Sequence, residues 1–380
     1  MVETRSGVHV EPEDTPHVHP PESYKEATTG GTQVHVRAGQ PPQHQHQHEL
    51  QRPHAPQRHT VYFAGMTMSQ LYTLVALVHG GLAFSLMLGC KGATAFSFGK
   101  AADPPEDQHC QLFHLYAGGL ATSVSMALSL EELSRRHLLH TYTADILKIG
   151  LIGHMISSLT LLIYHPLTVT TKWVLGEGAA AVLTGLVPAL SLLTTPDDRS
   201  RLQRDIQNFP SWAIGALTRS PRRRGLRPDQ RPAYPFLSIA YNLLTLIMPL
   251  TGLAYLIAPR WTLYHTFGYD YGASTHYLWR LIGSGALCTL LPCALMALKH
   301  KADIRMMSAT PARTLNLGFM MTSLGHLLVL GPVFSKGHGG FLLPGLLLTW
   351  GLGLVTSMLG LGAPEVHEFA NEVAEAASKQ

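Results

Sequence analysis

Charge is scarce in this sequence: Asp, Glu, Lys and Arg together make up 14% of 380 residues. Soluble domains carry about 25%, so a soluble enzyme or a nucleic-acid-binding domain is excluded for the main body. The net charge of +4 has meaning only through where it sits. Cysteine is scarce too: four are present and none forms a C-x-x-C pair, which argues against a thiol oxidoreductase or a zinc ribbon. The first sixty residues lack aliphatic runs, holding nine of the 22 His and seven of the 24 acidic residues among Pro and Gln clusters. They bury too little apolar surface to offset chain entropy, so residues 1–60 are expected to be a disordered cytoplasmic tail. Their acidity also argues against a signal peptide or transit peptide, leaving the first span as the insertion signal and favouring the endomembrane system or plasma membrane.

Beyond residue 60 the chain is rich in Leu, Ala, Gly and Thr, in uncharged stretches of about twenty residues, the length that crosses about 30 Å of hydrocarbon as helix. Eight segments can be drawn, at 69–90, 109–131, 144–165, 172–194, 235–258, 275–298, 313–334 and 341–361. The expected fold is an all-α integral membrane protein with eight transmembrane helices, because lipid leaves no other way to satisfy so long an apolar backbone. Positive residues divide 18 to five between the two sets of loops, which puts both termini in the cytoplasm.

Loop lengths repeat. Each set of four spans has a long outer loop, a short basic inner loop and a short outer turn, with faint echoes such as Gly81-Leu82-Ala83-Phe84 against Gly252-Leu253-Ala254-Tyr255 and Lys148-Ile149-Gly150 against Asn316-Leu317-Gly318. This predicts two divergent parallel four-helix repeats, 61–195 and 235–362, related by an axis along the membrane normal, with any ligand site between them. The basic connector 196–234, with Leu202, Ile206, Phe209 and Trp212 at helical spacing, reads either as an interfacial helix on anionic lipid or as a solvated linker. The tail 363–380 reads as an acidic amphipathic helix.

Ionisable groups inside spans each cost about 2.5–3.5 kcal/mol or more unless they face protein or water. They are His79, His114, His154, Glu177, Arg280 and His326. His79 and His154 share a mid-membrane depth; the other four lie in the outer half, with His114 and Arg280 at matching points of the repeats. One reading makes His114, Glu177, Arg280 and His326 a ligand-binding cavity open outward, with Glu177 the ion-pair partner of Arg280 or of an imidazolium. A second makes His79 and His154 the axial ligands of a haem between the first and third spans. A third has the histidines bonding across helices and Arg280 reaching the headgroups. Cys90 and Cys110, at facing helix ends on the outer side, form either a disulfide or two unpaired thiols. His44, His46 and His48 alternate as a divalent-metal tract would, and as polar low-complexity sequence also does.

Arg280-Leu281-Ile282-Gly283, opening the second span of a four-span unit after an aromatic-rich outer loop, resembles DoxX-like and ergosterol-biosynthesis-scaffold-like small membrane proteins. The likeness covers about a helix and a half, and the first half departs from it with His114 and Ala117 at the corresponding points. It implies the four-span unit, and those families include scaffolds. The leading expectation is a transporter-like or small-ligand-binding protein; the alternatives are a non-catalytic scaffold or subunit of a larger membrane complex and a haem-carrying electron carrier. Membrane lipid and other membrane-protein subunits are the expected partners, without nucleic acid.

Overall fold

The computed structural model describes residues 62–63, 65–99, 106–165, 168–194, 234–268, 272–304, 306–337 and 339–363. The chain divides into two units, Met1–Arg58 and His59–Gln380; every described residue belongs to the second. The N-terminal tail with its histidine tract, the connector and the C-terminal tail lie outside the described residues.

A short hairpin, β1 (Tyr62–Phe63) and β2 (Met66–Thr67), leads into helices. These are α1 (Met68–Leu88), α2 (Cys90–Phe98), α3 (Glu106–Arg135), α4 (Tyr142–Tyr164) and α5 (Thr171–Thr194). After the connector come α6 (Pro235–Ile257), α7 (Pro259–Phe267), α8 (Ala273–Leu281), a π-helical stretch Ile282–Leu290, α9 (Leu291–Asp303), α10 (Thr310–Ser335) and α11 (Leu342–Leu361). The chain is an all-α, multi-pass membrane protein in which seven helices are long and apolar enough to cross a membrane, counting Ala273–Asp303 as one. The expected spans 69–90 through 341–361 fall within a few residues of observed helices. The 109–131 segment is α3, which is not among the seven: buried hydroxyls and charges at its ends make it less apolar. Sequence periodicity gave no sign of the hairpin, of the short α2 and α7 between the long helices, or of the π stretch.

Local chemistry explains the boundaries. Thr67 accepts from Gln70 N while the Gln70 side chain returns to Thr67 N, a capping box that starts α1. Thr141 caps α4 through Ala144 N. Cys90 and Cys110 form a disulfide that ties α2 to the first turns of α3, and closing a loop of that size contributes about 3 kcal/mol. The π stretch contains Gly283, Ser284 and Gly285 and runs into Pro292, which has no N–H to continue the ladder.

Both halves bury their second long helix across the midpoint of the chain. α3 packs on α1 and on α10, while the π stretch and α9 pack on α6 and on α4. Glycines make these crossings close. A Cβ at Gly252 would stand 2.6 Å from Gly283 O, one at Gly150 2.7 Å from Cys293 Cβ, and one at Gly318 would overlap the Ser125 side chain. The Ala273–Asp303 helix is the central one, with 83% of its apolar stretch buried in protein against 33% for α1 and α11.

Buried residues fall at matching intervals in the two sets of helices. Met68, Leu71, Tyr72, Val75, Ala76 and His79 are buried on α1, and Leu237, Ala240, Tyr241, Leu244, Thr245 and Met248 are buried at the same spacing on α6. Lys148, Gly150, His154 and Ser158 on α4 match Asn316, Gly318, Thr322 and His326 on α10. This register puts Gly252 opposite Ala83, two residues away from the Gly81 pairing that local sequence similarity suggests.

Candidate functional site

Glu177, on α5, is a buried acid, 3% exposed. Tyr116, from α3, donates its hydroxyl to Glu177 Oε1 at 2.5 Å, while Oε2 has no partner. One turn earlier on α5, Trp173 donates Nε1–H to the Tyr277 hydroxyl at 3.1 Å, bringing α8 against this group. The Tyr277 ring lies 6.0 Å edge-on from His165, which ends α4. Arg280, one turn beyond Tyr277 on α8, donates from Nη1 to His165 Nε2 at 2.9 Å and from Nε to Leu256 O at 3.2 Å. Burial, and then the Arg280 charge, lower the pKa of His165 below its ordinary 6.5, in keeping with a neutral imidazole accepting from the guanidinium. Arg280 also lines a cleft of about 650 Å³ between α6 and α7–α8, with Pro259, Arg260, Trp261, Tyr264 and His276.

The four residues expected to form one cavity do not converge. Glu177 and Arg280 share a neighbourhood through Tyr277 and His165, yet the ion pair between them is replaced by Tyr116 on one side and His165 on the other. His114 is half-buried and bonds the Met87 carbonyl at 3.1 Å, which repeats in the first half what Arg280 does to Leu256 in the second. His326 stacks on Trp350 with centroids 3.7 Å apart and donates Nδ1–H to Thr322 O at 2.8 Å, next to Gly118 of α3. Both histidines are spent on helix packing.

His79 and His154 do meet. Their rings cross edge to face, centroids 5.6 Å apart. His79 Nδ1 lies 2.6 Å from Ser123 Oγ and Nε2 lies 2.7 Å from Thr184 Oγ1; neither nitrogen of His154 has a partner. This pair does not fit a haem. Axial imidazoles oppose each other across a macrocycle with a free lone pair each, whereas here the rings touch and both His79 nitrogens are occupied. Among the described residues no group of three or more His, Cys, Asp or Glu is placed to hold a metal ion.

Tyr116, Ser123, His165, Thr184 and Tyr277 were not singled out from sequence. One signal was available: Glu177, Thr184 and Ser191 recur every seven residues, which puts them on one face of α5. No protein-family model matches the chain and no curated protein matches it, so no activity is carried over from the DoxX-like resemblance of the Arg280–Gly283 stretch.

Proposed function

We propose that the chain is a transporter-like membrane protein of two parallel four-helix repeats, with α3 as the eighth span and both termini cytoplasmic, and that it takes a small polar or anionic solute at the outer site beneath Arg280. The repeat is supported by the shared element order, each half placing a nine-residue helix after its first long one, and by the matched glycine contacts. Gly318 follows Gly150, and Cys293 follows Ser125, by one and the same number of residues; Gly353 follows Gly185, and Ser323 follows Met155, by that number again. The orientation rests on the 18 to five bias of positive residues.

The observation that carries the functional reading is Glu177: a carboxyl buried in a membrane-spanning helix, with one oxygen unmatched, behind an arginine that faces a cleft. Side chains of that kind are costly in hydrocarbon and mark solute or ion paths. Arg280 engages two of its five N–H groups with His165 and Leu256, leaving others for an anion. The test is mass spectrometry of the full chain purified in mild detergent. A small-molecule adduct present in the wild type and lost in Arg280→Ala and Glu177→Gln, with membrane insertion intact, is the expected result. A chain without adduct that brings down the same stoichiometric membrane-protein partner in wild type and both variants overturns the reading in favour of a scaffold.

A further inference from the structure

The polar groups of the first half form a ladder. Glu177, Thr184 and Ser191 share a face of α5, Tyr72 and His79 a face of α1, and Tyr116 and Ser123 a face of α3, each set two turns apart. At the middle rung the Thr184 hydroxyl also lies 2.7 Å from Ala180 O, to which it can only donate. Thr184 therefore accepts from His79 Nε2–H, and the Ser123 hydroxyl donates to Nδ1. Turning the Ser123 hydroxyl alone converts Nδ1 from acceptor to donor, so His79 keeps both hydrogen bonds in either charge state.

His154 beside it is 1% exposed with two unmatched nitrogens, each costing about 1–3 kcal/mol. Gly285 makes room for this ring: a Cβ there would stand 2.7 Å from His154 Nδ1. One turn outward on α4, Ser158 lies beside the Tyr116 hydroxyl, which in turn holds Glu177. Between the middle rung and the inner one at Tyr72 and Ser191, Val75, Ala76, Leu147, Leu151 and Val187 are all buried and apolar.

We infer that this ladder is a proton-binding relay, approached from the outer side and closed on the inner, in which a proton held at Glu177 is taken up by His154 beside His79, so that the solute moves with protons. The relay rests on the transporter-like reading. In the step, the Glu177 O–H bond breaks and an N–H bond forms on a ring lone pair of His154, the Tyr116 and Ser158 hydroxyls that lie between them each taking up one proton and releasing one, which leaves a carboxylate held by the Tyr116 hydroxyl; the reverse step restores both neutral groups. The two turns from Glu177 to the level of Thr184 make about 10 Å, a third of the hydrocarbon. The titratable groups on the helix faces that hold the pair are Glu177 on α5, Tyr116 on α3 and Tyr72 on α1, two turns from it; the π stretch presents Gly285 to His154, and α9 presents Cys293 against Gly150.

The test is imidazole ¹⁵N spectroscopy of the full chain, labelled at histidine and held in lipid bicelles, with His79→Gln and His154→Gln assigning the signals. His154 is expected to titrate, with Glu177→Gln lowering its midpoint by about one pH unit, the effect of a unit charge some 10 Å away at an effective dielectric of about 20. If Glu177→Gln does not fold, Tyr116→Phe, which leaves the carboxyl but removes its hydroxyl link, is expected to move the midpoint as well. A single neutral tautomer of His154 throughout, or a titration indifferent to both substitutions, overturns the relay. Loss of the Arg280-dependent adduct is a separate readout, so either idea can fail alone.

Discussion

His154 and Thr322 occupy matching places on α4 and α10, each against a glycine on the second long helix of the other half, and they are satisfied in opposite ways. The Thr322 hydroxyl lies 2.7 Å from Gly118 O, 2.9 Å from Gly318 O and 2.8 Å from Thr122 Oγ1. The His154 ring, against Gly285, bonds nothing. Likewise His79 in α1 stands where α6 has Met248. One kind of helix crossing is thus fully hydrogen-bonded in one half and leaves a buried imidazole without hydrogen bonds in the other. The difference comes from a few side chains and not from the crossing of the helices.

The hardest break of this comparison is Thr322→His. An imidazole forced against Gly118 and Thr122 both overpacks the crossing and strands the Thr122 hydroxyl, and a loss of about 3 kcal/mol or more is expected in detergent unfolding. His79→Leu comes next. It orphans Ser123, while Thr184 keeps its bond to Ala180 O, and is expected to cost about 2 kcal/mol, most of it regained when Ser123→Ala is added, because removing both sides of a buried hydrogen bond is close to neutral. His154→Thr, which gives the first half the residue of the second, is expected to cost only about 1 kcal/mol, since no hydrogen bond is lost. Proton uptake should nonetheless vanish from the ¹⁵N spectrum.

The smallest effect concerns His165, outside the spans. Its pKa is lowered in the folded protein, so the unfolded chain binds the proton more readily. Stability is then full above about pH 6.5 and falls as pH drops toward the folded pKa. Being only part-buried, the contact is screened and the slope shallow. His165→Gln, which keeps an acceptor for Arg280, should flatten it, as seen by comparing unfolding midpoints near pH 5.5 and 7.5.

Span positions were legible from composition because hydrocarbon imposes length and polarity directly. The depth of His79 and His154 was legible for the same reason. Azimuth was not. Whether His114 and Arg280 face each other depends on how helices rotate and cross, which the close glycine contacts decide, and single-sequence periodicity is blurred where both lipid and core are apolar. So the sequence grouped His114 and His326 with Arg280 by height alone, while Tyr116 and Thr184, ordinary residues in a membrane helix, acquire meaning only beside Glu177 and His79. The short α2 and α7 were hidden because nine residues give too few turns to set a period.

The crossed packing bears on how the chain can be assembled. α3 finds a main partner in α10, and the π stretch with α9 finds one in α4, so neither half can finish its own interior. Helices inserted early must wait in lipid until α6 to α11 emerge and cover these faces. Made alone, the helices before the connector would leave these faces uncovered. Carrying both sets on one chain therefore turns what would be a concentration-dependent association into a fixed one-to-one pairing.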